Sequence, residues 1–90
     1  MKELHVQFKG IVQNVGFRAH IQKAANKRNI TGYVKNLKDG SVELVAQGEE
    51  EELQSLFEEI KNNPGSAKID SVKSSVTAPL KSYNAFSVQY

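Results

Sequence analysis

Apolar and polar positions alternate through the start of the chain, with Leu4, Val6 and Phe8 on one side and His5, Gln7 and Lys9 on the other. A period of two is that of a half-buried strand, predicted here over about residues 3–12. From Phe17 the period changes. Phe17, Ile21, Ala24, Ala25 and Arg28 recur at helical spacing, and Lys23 and Lys27 give the helix a wet face, so a helix is predicted over about 17–29. Asn29-Ile30-Thr31-Gly32 ends it, and Tyr33 to Leu37 reads as a second strand. Asp39-Gly40 favours a tight hairpin turn into a third strand from Ser41 to Gln47. In that strand Val42, Leu44 and Ala46 share one face and Glu43 and Gln47 the other, as in a sheet covered by helices on one side only.

Leu53, Leu56, Phe57 and Ile60 mark a second helix from about Glu49 to Asn62, opened by the acidic run Glu49 to Glu52 and stopped by Asn62-Asn63-Pro64-Gly65. Acids at a helix start complement its dipole, so the run is read as helix initiation and not as a metal site. Lys68 to Thr77 is a fourth strand in which Ile69 and Val72 are out of phase, which predicts a bulge or twist. Residues 79–84 form a loop, and Phe86, Val88 and Tyr90 alternate in a short last strand. The order is βαββαβ with that extra strand. Right-handed crossovers and the Asp39-Gly40 hairpin then give an α+β fold, a ferredoxin-like α/β sandwich with an antiparallel sheet and both helices on one face.

Ninety residues set one domain, 1–90, able to bury only about 60 % of its unfolded surface. With 39 % hydrophobic and 24 % charged residues the chain is not a disordered one, and a net charge of +2 is far from that of a nucleic-acid arm. The lack of cysteine excludes disulfides and thiolate metal sites. No apolar run approaches the roughly 18 residues of a membrane span, and because the N-terminus enters a strand at once no signal peptide is expected. The expectation is a cytoplasmic monomer that binds neither membrane nor nucleic acid.

Candidate chemistry sits at the first strand-to-helix junction, Gly10-Ile11-Val12-Gln13-Asn14-Val15-Gly16-Phe17-Arg18. A turn this short aims consecutive N–H groups into a small space, and the first N–H groups of a helix have no partner within it. Such a concavity at the positive end of a helix favours anions. Arg18 is a cation in the first helical turn, an unfavourable place that a bound anion would make favourable, and its guanidinium can grip a phosphate with two hydrogen bonds. These nine residues by themselves fit either an anion cradle or an ordinary turn with a solvated arginine.

A second stretch, Gly32-Tyr33-Val34-Lys35-Asn36, is followed by Gly40, Val42 and Gly48. Together the two stretches resemble the paired signatures of the acylphosphatases. The first runs Gly-x-Val-Gln-Gly-Val-x-Phe-Arg, matched by Gly10, Val12, Gln13, Val15, Phe17 and Arg18. The second runs Gly-aromatic-Val-Lys-Asn, matched at every position, and the resemblance extends to the terminal Phe86-Ser87-Val88-Gln89-Tyr90. It implies that Arg18 binds the phosphate and that Asn36 holds the attacking water, making these the catalytic pair. The amides of Gln13, Asn14, Val15, Gly16, Phe17 and Arg18 would bind the phosphoryl group.

One position departs from the pattern, Asn14 in place of glycine. Asparagine is among the residues that best tolerate the left-handed region, so the loop shape is expected to survive. Its side chain near the anion bears on rate more than on fold.

An acyl phosphate has a carboxylate as its leaving group, stable as an anion at neutral pH. It needs no general acid, and its loose transition state calls for positioning and electrostatic stabilisation. The expected partners are therefore a small acyl phosphate, with inorganic phosphate as product and inhibitor, and no metal or other cofactor. His5 is expected on an exposed strand face and His20 pointing away from Arg18, neither beside a carboxylate or second histidine at ligand spacing. Asp39 and Asp70 read as structural.

Two other functions are weighed. RNA-recognition modules share the chain order but read bases with aromatics on the middle strands, and Val42-Glu43-Leu44-Val45-Ala46 carries none. A phosphate- or carbamoyl-phosphate-binding module with little turnover resembles the acylphosphatase-like domains of hydrogenase-maturation carbamoyl transferases, and Asn14 is compatible with it. A chain that starts and ends with the domain is expected to be a free enzyme.

Overall fold

The structure, a computed structural model, describes residues 1–90. Its elements are β1 (Lys2–Ile11), α1 (Phe17–Asn26), β2 (Thr31–Asn36), β3 (Val42–Gly48), α2 (Glu50–Asn62), β4 (Lys68–Thr77) and β5 (Phe86–Gln89). The sheet order is β4-β1-β3-β2-β5. β1 and β3 lie side by side in the middle, so each βαβ half has a strand of the other half inserted between its own two. This is the ferredoxin-like sandwich. Neighbours among the first four strands are antiparallel, but β5 runs parallel to β2 and makes the sheet mixed.

The first helix ends at Asn26 and not near Asn29. Arg28 folds back instead, its Nη1 donating to Ala24 O at 2.8 Å and its Nη2 to Glu59 of α2 at 2.5 Å. Asn29 then takes a left-handed φ of 53°, which turns the chain into β2 two residues earlier than the apolar pattern suggests.

The core lies between the helices and one face of the sheet. Leu4, Val6 and Phe8 of β1 meet Val42, Leu44 and Ala46 of β3 and Val34 of β2, and α1 and α2 contribute Phe17, Ile21, Leu53, Leu56 and Ile60. Phe8 stands edge-on to Phe17, with ring centres 5.2 Å apart, and to Phe57 at 6.5 Å. Edge-to-face contact of this kind adds roughly 0.5–1.5 kcal/mol to the burial of the rings. Phe17 opens α1, so its anchorage fixes where the helix begins.

The opposite face is less open than expected. Val45 and Gln47 of β3 are only 3 % and 1 % exposed there. The loop before β5 covers Gln47, whose Nε2 donates to Lys81 O at 2.5 Å and to Glu3 Oε1 at 2.7 Å, and the Tyr83 ring packs against Tyr33. The expectation that His5 has no carboxylate nearby is also corrected, because His5 Nε2 contacts the Glu3 carboxylate. Burial pushes the Glu3 pKa up, but the hydrogen bonds of Gln47 and His5 and the charges of His5 and Lys81 together hold it below the ordinary value.

The out-of-phase residues of β4 do mark a bulge. Lys9 pairs with Ser71 but Gly10 pairs with Ile69, so Asp70 has no partner in β1. Gly10 has a φ of 136°, and a Cβ there would lie 2.2 Å from Lys68 O. Only glycine lets β1 pass the bulge and reach the junction that follows.

Candidate active site

Val12 is buried and Val15 packs against the core, so the junction between β1 and α1 is pinned from below. Asn14 and Gly16 take left-handed φ values of 63° and 76°. A Cβ at Gly16 would meet nothing within 4 Å, so glycine suits this position by its φ and not by close approach. The N–H groups of Gln13, Asn14, Val15 and Gly16 donate to no backbone carbonyl, and the first bond of α1 runs from His20 N–H to Gly16 O at 3.0 Å. Gly16 provides no side-chain cap, and no acid stands in the first turn. The positive end of α1 is thus left to the solvent side of the loop. Asn14 is exposed and lies in the left-handed region, which asparagine tolerates.

Gln13 does more than the sequence suggests. Its side chain Nε2 donates to Leu37 O at 2.8 Å and to Ser41 O at 2.9 Å, so it clamps the loop to the hairpin between β2 and β3. The hairpin is rigid in its own right. Leu37 N–H donates to Ser41 O at 2.8 Å, and Asp39 Oδ1 accepts from Ser41 N–H at 2.9 Å and from its hydroxyl at 2.5 Å. Those Ser41 bonds hold the Asp39 pKa below its ordinary value, and the role of Asp39 is structural. Backbone acceptors leave no mark in a sequence, so the clamp could not have been read there.

Asn36 closes β2, directly before the clamped Leu37. Its Oδ1 is buried and accepts no hydrogen bond, the one side-chain atom of the chain in that condition. An unpaired buried acceptor costs about 1–3 kcal/mol, so a polar atom kept this way calls for an explanation. A donor supplied from outside the protein, such as a water O–H, would satisfy it.

Arg18, half-buried in the first turn of α1, reaches the same end of β2. Its Nη1 donates to Gln89 O at 2.9 Å, and its Cζ lies 4.5 Å from the centre of the Tyr90 ring. Gln89 pairs with Lys35, the neighbour of Asn36. No carboxylate forms an ion pair with Arg18. His20 points elsewhere, its Nε2 bonding Asn63 O at 2.7 Å. Phe17 and Val15 contribute only backbone to this region, since their side chains belong to the core. Nowhere do three or more His, Asp or Glu side chains gather as a metal would need. Two surface grooves, of about 170 and 250 Å³, include none of Gln13 to Arg18 or Asn36. What the junction offers is a shallow set of amides flanked by one cation and one amide side chain, suited to a small anion.

The model of the acylphosphatase family matches residues 4–88. The chain belongs to the acylphosphatase family. An acylphosphatase of Bacillus subtilis (strain 168) is 38 % identical over 100 % of this chain and 99 % of its own length. One from Caldivirga maquilingensis is 42 % identical over 97 % of the chain and 93 % of its own. The crystal structure of acylphosphatase from Bacillus subtilis superposes with a TM-score of 0.94 over the whole of both chains. Full-length HypF, in a phosphate- and nucleotide-bound form, is similar at a TM-score of 0.88 and 29 % identity, over 99 % of this chain but 12 % of that one. As an acylphosphatase the chain is a hydrolase, and its family implies a small acyl phosphate substrate. No helix is long and apolar enough to cross a membrane.

Proposed function

We propose that this acylphosphatase hydrolyses the carboxyl–phosphate bond by attack of a water held on Asn36, with the phosphoryl group seated on the amides of residues 13–18 and gripped by Arg18. The observation that carries the reading is the buried, unpaired Oδ1 of Asn36, one residue before the hairpin to which Gln13 clamps the amide loop. A water that donates one proton to Oδ1 presents a lone pair to the phosphorus. As the new O–P bond forms, the P–O bond to the acyl group breaks, and its electron pair leaves on the carboxylate. The water's remaining proton passes to a phosphate oxygen, so water and an acyl phosphate give a carboxylate and dihydrogen phosphate. Asn36 orients and does not deprotonate, while amides and Arg18 stabilise charge on the three equatorial oxygens. No metal is needed for a leaving group this stable, and all the groups invoked come from one chain.

The test is hydrolysis of benzoyl phosphate beside p-nitrophenyl phosphate, each with and without chelator. Turnover of the first, little of the second and no chelator effect are expected. Equal rates on the two, or loss of activity with chelator, overturn the mechanism. A second reading, a module that binds phosphate or carbamoyl phosphate with little turnover, draws on the likeness to HypF and on Asn14. Tight phosphate binding without benzoyl phosphate hydrolysis would favour it.

A further inference from the structure

Arg18 carries a long, flexible side chain, and no carboxylate holds it. What holds it is the Gln89 carbonyl at 2.9 Å and the face of the Tyr90 ring at 4.5 Å. Both are weak partners next to a carboxylate, and that difference matters. A guanidinium has five N–H donors. A carbonyl oxygen uses one and a ring face none, so the charge and the other donors stay available to an anion.

The strand that supplies these contacts is itself fixed on both flanks. Gln22 of α1 donates to Phe86 O at 3.2 Å, and Gly32 N–H donates to Ala85 O at 3.0 Å. Phe86 is buried in the core, and the parallel ladder with β2 runs on to Lys35 and Gln89. β5 therefore joins the helix that bears Arg18 to the strand that bears Asn36. The Tyr90 side chain, by contrast, is fully exposed, so burial of its ring does not account for its place.

We infer that Tyr90 and the Gln89 carbonyl are positioning groups that preset the Arg18 guanidinium relative to Asn36 before substrate arrives. This inference rests on Arg18 being the phosphoryl ligand. An arginine already in place loses less conformational freedom when the anion binds, so the benefit falls on affinity as well as on rate.

The experiment compares the parent with Tyr90→Ala, Tyr90→Phe and Gln89→Ala. Mobility of the Arg18 guanidinium is followed by NMR without ligand, inorganic phosphate affinity by titration, and kcat and KM with benzoyl phosphate. Tyr90→Ala should free the guanidinium, weaken phosphate about two- to fivefold, the size of an exposed cation–π contact, and leave thermal stability unchanged. Tyr90→Phe keeps the ring face and should match the parent. Gln89→Ala keeps the carbonyl and should also match it. In an Arg18→Ala background, Tyr90→Ala should change phosphate affinity no further.

Unchanged Arg18 mobility in Tyr90→Ala overturns the inference, as does a Tyr90→Phe variant as impaired as Tyr90→Ala, or an equal loss of phosphate affinity in the Arg18→Ala background. The mobility measurement needs no turnover. It judges the positioning role even if the parent leaves benzoyl phosphate intact, a result that instead overturns the proposed function.

Discussion

Replacing Asn36 by alanine separates a residue kept for chemistry from one kept for folding. Its Oδ1 is buried and unpaired, and such an acceptor carries a desolvation cost of about 1–3 kcal/mol in the folded protein. Alanine removes that cost. It also removes the packing of a small side chain on a half-buried position, worth roughly 1 kcal/mol. The balance lies between zero and about 2 kcal/mol in favour of the variant, and for a chain of this size about 1 kcal/mol is worth roughly 4–8 °C in Tm. Thermal melting of Asn36→Ala should therefore show a midpoint between unchanged and roughly 10 °C higher. Turnover should behave oppositely, since a nucleophile that is no longer oriented costs on the order of 10²-fold in kcat. Inhibition by inorganic phosphate should stay within about twofold of the parent, because Asn36 is proposed to touch the water and not the phosphoryl oxygens. A variant that melts well below the parent with kcat intact would refute this reasoning, and Asn36 would then be a structural residue.

Arg18→Lys keeps the charge but not the two-pronged grip, so phosphate inhibition and kcat/KM for benzoyl phosphate should both fall, by tenfold or more on the order of a lost charge-assisted hydrogen bond; equal phosphate inhibition of variant and parent would exclude Arg18 as the ligand. Asn14→Gly removes a strain of order 1 kcal/mol at φ 63° but frees the unfolded chain, at about 0.4–1 kcal/mol, so Tm should barely move while kcat/KM rises; a fall would make Asn14 a working member of the site. The pKa of Glu59 is lowered from its ordinary value of 4.5, chiefly by hydrogen bonds from Arg28 and then Lys27. A lowered carboxylate stabilises the fold above its unfolded pKa and loses that contribution as pH falls through the folded value. Acid titration of stability should hence show a loss below about pH 4.5 that is shallower in Glu59→Gln; identical acid slopes in the two proteins would remove Glu59 from the account.

Strand and helix periods locate every element, because one apolar face per element is what burial against a single layer demands. They do not give the end of α1. That is decided by Arg28 turning back to Ala24 and Glu59. Nor do they show that β5 lies parallel beside β2, since Phe86 and Val88 would alternate equally well in either direction. Gln47 reads as a solvent-facing residue of β3, yet it is buried by a loop that arrives over thirty positions later in the chain. At the site, the motifs point to Gln13, Arg18 and Asn36 as residue types. What Gln13 and Arg18 bind in the resting protein, the carbonyls of Leu37, Ser41 and Gln89, is backbone that any residue could provide. Contacts of that kind are set by topology alone.

The central place of β1 has a kinetic side. Lys2 meets Gly48 on one flank and Glu3 meets Thr77 on the other, so the strand that leads into the amide loop finds its partners only after most of the chain has been brought together. Closing such distant pairs is slow compared with local helix formation. The amide loop has no scaffold of its own: β1 on one side and the hairpin gripped by Gln13 on the other give it shape. A peptide of residues 10–18 cut from the protein should thus bind phosphate no better than a random coil. During refolding, the capacity to bind the anion should return together with the sheet and in the same slow phase, with no earlier species able to hold it.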